Sequence, residues 1–549
     1  MAVVTATITS EGIEMEGRYE LLSIDVSKEF NKVPTAELRL IDGIVSQQKF
    51  DILDERFFDP GKRIEIALRY ENEPQNEDTV FIGIVVNQSL ELNKFGTTLT
   101  IELSDEAIKM TNARKNAVYI GEKDSVIIEK QIKQNGLKGT MTETVVTHPQ
   151  MIQYYATDWD FMVSRAEANA QLVSVNNGEI AVFKPTIQVP SFELELGQKE
   201  IYDFDLKVNA GNQYHEVNAV AWDSSKQTLT TPDKGDEYKV PQGDHDISKI
   251  APTVGAEETT LIHAATMDTE ELKAWSDSQI LKSRLSFFRG WFKIVGTPKI
   301  QVGQTIAIKG VSKSFTGENI ITGVRHEVTP EGWITHLQIG MDPCWFAAQS
   351  NVTDTKAAGL LPGVNGLQIG IVKAHKEDPK HPFQVRVMIP ALGPDKDTVW
   401  ARLVTIDGGV ERGMLFRPEP EDEVIVGFLN DDPRQAIILG SMHSAKNKAP
   451  IPFDEKNSQK GIFTKSKYQL LFDEGKEVIT LSTSEKNQIS IDEKQKIIKM
   501  SDANGNHIEL NTNGVMIISA KDCQIKAEGN FNIEAEGNVS IKGSKVDLI

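Results

Sequence analysis

The chain has 549 residues, enough for three or four domains. Its 79 acidic against 59 basic side chains leave a formal charge of −20, which argues against nucleic acid or anionic membrane surfaces as electrostatic partners. Cys344 and Cys523 make no disulfide framework, the start Met1-Ala2-Val3-Val4-Thr5 lacks the basic-then-apolar pattern of a signal peptide, and no apolar run approaches a membrane span, so synthesis in a cytoplasm is expected.

In chain order, residues 1–345 read as β-rich with a few helical inserts. Alternation in Glu37-Leu38-Arg39-Leu40-Ile41, Ile64-Glu65-Ile66-Ala67-Leu68 and Thr98-Leu99-Thr100-Ile101-Glu102-Leu103 predicts half-buried strands. Asp124 is placed as the cap of a helix through Ile132 that Gly136 ends. Thr157 and Asp160 resemble a capping box, with Asp in place of Glu, opening a second helix through Phe161, Met162 and Ala166. Strands return from Leu172 to Trp222. Residues 223–260 are polar and rich in Pro and Gly, and an exposed loop is expected there. A third helix is expected from Thr269 to Leu285, capped by Asp268, before strands resume up to Leu337.

Residues 346–365, with Ala357, Ala358, Gly359, Pro362 and Gly363, offer little to bury and read as a linker. Five short apolar runs follow in 366–445: Ile369-Gly370-Ile371-Val372, Phe383 to Ile389, Val399 to Val404, Glu423 to Phe428 and Ala436 to Gly440. Five strands in about 80 residues suit an OB-type barrel, with Trp400, Val424, Val426 and Phe428 assigned to its support.

Residues 446–475 form a lead-in to a C-terminal repeat, placed at 476–549. Ile517, Ile525, Ile533, Ile541 and Ile549 recur every eight positions, and Val515, Cys523, Phe531 and Val539 sit two residues ahead of the first four. Residues spaced by two share one face of a strand. Eight residues at roughly 3.3 Å span only about 26 Å, one side of a prism. Three identical chains, each supplying one side, would complete it: an intertwined trimeric β-helix whose core holds these residues, Cys523 included as a small hydrophobe. Upstream, Val478-Ile479-Thr480-Leu481, Ile489-Ser490-Ile491, Ile498-Lys499-Met500 and Ile508-Glu509-Leu510 are strand cores spaced nine or ten apart, a wider base for the shaft.

Chemistry is sparse. Asp244-His245-Asp246 and His375 with Asp378 and His381 contain metal-capable ligands, at spacings that match no zinc pattern. The acids Glu419, Glu421, Asp422, Glu423, Asp431 and Asp432 read as solvated turn carboxylates. No Gly-x-Ser-x-Gly, Walker A loop or His-Glu-x-x-His is present. A glycosidase needs two carboxylates about 5–10 Å apart in a cleft, and the roughly 20 residues between Gly440 and Gly461 leave no room for such a domain. The chain stops on the repeat itself. No catalytic residue, metal or cofactor is assigned.

The barrel run Arg386-Val387-Met388-Ile389-Pro390, Trp400-Ala401-Arg402, Pro418 to Phe428 and Asp431-Asp432-Pro433 to Ser441 resembles VgrG-type hub–spike proteins of type VI secretion, contractile phage tails and extracellular injection systems. The segment Tyr154 to Phe161 and the 456–473 stretch are similar to that family's hub helix start and needle lead-in. The resemblance implies a non-enzymatic homotrimer: a pseudo-hexameric hub on an inner-tube protein, an OB collar, a membrane-puncturing needle and a PAAR-type protein capping its end, built into a baseplate. Two rival readings are a polysaccharide-cleaving tailspike, which needs an enclosed carboxylate pair, and a receptor-binding fibre or adhesin, which needs a globular tip.

Overall fold

The computed structural model describes residues 3–94, 96–197, 201–375, 378–393 and 398–547. It is mainly β and divides into two compact units, Met1–Thr355 and Lys356–Ile549. No described helix is long and apolar enough to cross a membrane.

The first unit is organised by one 13-stranded sheet with two lobes. In the first lobe, Thr35–Ile41 alternates buried and exposed residues without a break, the period-two pattern of a strand with one covered face. Ile24, Leu38, Leu40, Ile64, Ile66, Phe81 and Leu99 meet in its core. The second lobe gathers Leu194, Phe292, Ile306, Ile321 and Leu337. The lobes join where Gly317–Thr329 pairs antiparallel with Glu20–Glu29, Val328 opposite Ile24. There Arg325 Nε lies 2.9 Å from each oxygen of Asp25, and Val328 and Trp333 cross into the first lobe's core.

Helices Asp124–Gln134 and Asp158–Ala168 pack with a small sheet through Ile128, Ile132, Met162, Val163, Val173 and Ile180. Thr157 caps the second of them, its hydroxyl accepting from Asp160 N at 3.0 Å. Asp268 caps Thr269–Phe287 by accepting from Glu270 N at 2.9 Å. Two expectations fail here. Asp124 is not a cap: Lys123 occupies that position, and the Asp124 carboxylate is buried where it accepts from Arg165, Asn169 and His148 at 2.8–3.0 Å. Burial raises its pKa, but Arg165, His148 and Asn169 outweigh burial and hold it below the ordinary carboxylate range. Nor is 223–260 one loop. It contains a helix, Ile247–Val254, and the start of a strand, Ala256–His263, that runs parallel to Tyr214–Asp223. That strand is polar because most of its side chains remain in solvent; its backbone is ordered by the apolar strand beside it.

In the second unit, Gln368–Ala374, Gln384–Met388, Thr398–Leu403, Ala436–Ser441 and Glu423–Phe428 close into a five-stranded barrel in that order. Val372, Val387, Ala401, Val424, Val426 and Ile438 fill it, and Phe428 packs against its margin. Trp400 is not in that core. Its neighbour Ala401 points inward, so the period of two sends Trp400 outward, where His381 stacks on it at 4.9 Å. The second half of the expected linker is also engaged: Ala357 is buried, and Val364 N donates to Asp431 O at 2.8 Å.

Candidate functional site

Beyond the barrel, seven strands from Gln459–Phe463 to Gly514–Ile518 form an antiparallel meander in chain order. The sheet therefore begins at Gln459, inside the stretch expected as lead-in. Its strands are five residues long, and each of the six turns has a residue with positive φ in it or at its end: Lys467, Glu477, Lys486, Lys496, Gly505 and Gly514. At one turn Asp502 Oδ1 accepts from Asn504 N and Asn506 N, both at 2.9 Å. The Asn506 amide, chiefly, pulls that carboxyl down to about 2. Asn506 Oδ1 then accepts from Ala520 N at 2.8 Å, fastening the next turn on the same edge.

The register aligns the side chains into two rows. Ile462, Leu470, Leu481, Ile489, Met500, Ile508 and Ile517 stand opposite one another in succession. Two residues along each strand, Phe472, Ile479, Ile491, Ile498, Leu510 and Val515 make a second row on the same face. The opposite face is more polar, with Thr480, Ser490, Lys499 and Glu509 in line and Lys499 paired to Glu509 at 3.1 Å. Leu470 aside, every member of the two rows is 39–69% exposed. An unbroken apolar face of this size is far outside the scatter of single surface hydrophobes and marks an interaction surface.

The rows also explain the spacing of nine or ten read from sequence. Leu470, Ile489 and Ile508 recur every nineteen residues, as do Phe472, Ile491 and Leu510, because two strands and two turns make one unit. A search at twice the strand spacing finds this period, and that was the missed signal. Within the meander the rows are visited in alternating order, since each strand reverses. In the octads the order is fixed: Val515 then Ile517, Cys523 then Ile525, Phe531 then Ile533, Val539 then Ile541.

Val515 and Ile517 thus belong to the last meander strand rather than to an octad coil. Described residues 519–547 form no strand within the single chain, and Cys523, Ile525, Phe531, Ile533, Val539 and Ile541 are all exposed. Ile549 lies outside the described residues. The metal-capable residues do not gather. His245 packs against the Phe287 ring at 5.6 Å while Asp246 caps a helix, and His375 bonds Pro418 O at 2.6 Å. Among the described residues no group of three His, Cys, Asp or Glu converges as a metal would require. Of the turn acids, Asp422 accepts from Glu419 N at 2.8 Å and Asp432 holds Arg434 at 2.6 Å.

Residues 1–330 match the Alg8 N-terminal domain family, and residues 368–443 match the type VI secretion system/phage-baseplate injector OB domain. The chain belongs to the Alg8 N-terminal domain family. The chain is 30% identical over 74 residues to the type VI secretion system spike protein VgrG5 of Pseudomonas aeruginosa, covering 14% of this chain and 9% of that one. It is 33% identical over 72 residues to spike protein VgrG3 of Vibrio cholerae, covering 13% and 7%. It thus spans less than a tenth of either relative's length. A 43 kDa tail protein of prophage MuSo2 from Shewanella oneidensis is 11% identical with a TM-score of 0.44, covering 63% of this chain and 98% of that protein.

Proposed function

We infer that this chain is a VgrG-type spike and works as a homotrimer at the tip of the inner tube of a contractile injection machine. The observation that carries this reading is the pair of apolar rows, left open across a whole sheet and continued in sequence by the octads. A flat meander cannot continue with its rows in fixed order, because each new strand would have to run in the same direction as the last. Winding around a threefold axis satisfies that order, and two further copies of the same face cover the rows. Each Ile or Phe so covered contributes roughly 1.5–3 kcal/mol, and the winding leaves no free strand edge along the shaft.

On this reading the N-terminal unit sits on an inner-tube protein within the baseplate and adapts a six-fold tube to a three-fold needle. The barrel forms a collar, the needle concentrates force on the target envelope, and a PAAR-type protein caps its apolar end. The work is mechanical: the turn acids and histidines are engaged in local hydrogen bonds and ring contacts, which supports a role without catalysis. Light scattering of the purified full-length protein tests the assembly, with the mass of three chains expected. A folded, monodisperse monomer whose residues 519–547 resist hydrogen exchange overturns it. Electron microscopy of the assembled particle tests the location.

A further inference from the structure

A cavity of about 700 Å³ lies in the first unit, between the Thr269–Phe287 helix and residues 234–248. Ile280, Phe287, Phe288 and Tyr238 wall it, and Arg284 reaches it from the helix. Arg284 is only 8% exposed, yet its hydrogen-bond acceptors are all neutral: Gln213 Oε1 at 3.3 Å, Ser283 Oγ at 3.1 Å and Tyr214 O at 2.8 Å. Among the described residues no carboxylate forms an ion pair with it; the Glu237 carboxylate, on the same cavity wall, acts on it only from beyond that distance, and burial wins, lowering its pKa. A buried guanidinium without a direct ion pair is costly.

Arg165, in the same unit, shows the usual solution: its Nε and Nη2 grip the two oxygens of Asp124 at 2.8 and 2.9 Å. Arg284 has no such carboxylate grip, and its guanidinium lines a cavity instead. A second donor waits beside it, because the Tyr238 hydroxyl is buried with no partner. Burial pushes that phenol up to about 12, so it keeps its proton at neutral pH. The cavity's own carboxylates are engaged elsewhere. Glu237 lies 3.4 Å from Lys239, and Asp246 caps a helix and pairs with Lys249 at 3.0 Å.

We propose that this cavity binds a small organic oxyanion, a carboxylate or phosphate monoester with an apolar body. The positive charge of the Arg284 guanidinium and the Tyr238 hydroxyl hold the head, and Phe287, Phe288 and Ile280 line the space for the body. Calorimetric titration of the full-length protein with phenyl phosphate, benzoate and inorganic phosphate tests this. Phenyl phosphate or benzoate should bind at one site per chain, at least about tenfold tighter than inorganic phosphate; whichever binds tighter identifies the head group. Arg284→Gln should weaken that binding by about tenfold or more, and Tyr238→Phe, which removes only an unpartnered hydroxyl, by about threefold. Absence of saturable binding at about 10 mM, equal affinity for inorganic phosphate, or undiminished binding by Tyr238→Phe overturns the proposal. If Arg284→Gln does not fold, the Tyr238→Phe result decides.

Discussion

The first lobe of the N-terminal unit and the C-terminal meander are written in the same alphabet and end in opposite states. Both alternate apolar and polar residues along short antiparallel strands. In the lobe, Ile24, Leu38, Leu40, Phe58 and Phe81 are at most 1% exposed, whereas Ile479, Ile498, Met500 and Leu510 are 40–53% exposed in the meander. The difference is the second layer. The lobe's own chain returns over its sheet, so its apolar face closes within one molecule. The meander's chain never returns, so its face waits for something else. Alternation declares that a strand has a covered face; it says nothing about who covers it.

Changes on the open face should therefore act on assembly, and changes in the lobe on folding of one chain. The largest effect is expected from Ile533→Asp, which in the proposed trimer would put three carboxylates near one axis without partners. The trimer mass should vanish in light scattering while the thermal transition of the N-terminal unit persists; an unchanged mass and melting profile would remove Ile533 from the shaft core. Phe81→Ala should do the reverse, lowering the stability of the N-terminal unit by about 3–5 kcal/mol in denaturant titration while the needle keeps its heat resistance.

Acid should also act on the N-terminal unit. Burial, with smaller help from Lys28 and His336, lowers the His326 pKa to about 3, against about 6.5 in an unfolded chain. Between those values the unfolded state binds the extra proton, so His326 contributes stability that is complete above about pH 6.5 and drains away as pH falls towards 3. His326→Gln should flatten the pH dependence of the unit's melting in that window, by up to about 1.4 kcal/mol per pH unit; an identical slope in the variant would contradict it. The smallest effect is expected from Thr157→Ala, about 1 kcal/mol on the same transition, through loss of one cap. No change in assembly should accompany it.

Much of this was legible in the residues. The barrel strands lie within a residue or two of the apolar runs that announced them, and Thr157 and Asp268 cap the helices they precede. Those signals are local, carried by residues a few positions apart. The misreadings share the opposite cause. Asp124 has every mark of a cap, but Arg165 and His148, brought in by other elements, claimed its carboxylate. Ala256–His263 is too polar to announce a strand, and only the neighbouring apolar strand supplies its hydrogen bonds. Trp400 was assigned with Val424 and Val426 to the support of the barrel, and the parity of its strand puts it outside the core they share.

By itself the sequence determined the period of eight at the C-terminus, the alternation that makes each segment a strand, and the five-strand barrel, because spacing along the chain fixes which side chains share a face. Only the tertiary structure decided which faces are covered. It paired Gly317–Thr329 with Glu20–Glu29 across some three hundred residues, enclosed Arg284 among neutral acceptors, and left two apolar rows open. Each of those depends on contacts between distant segments, whose free energy no local pattern encodes.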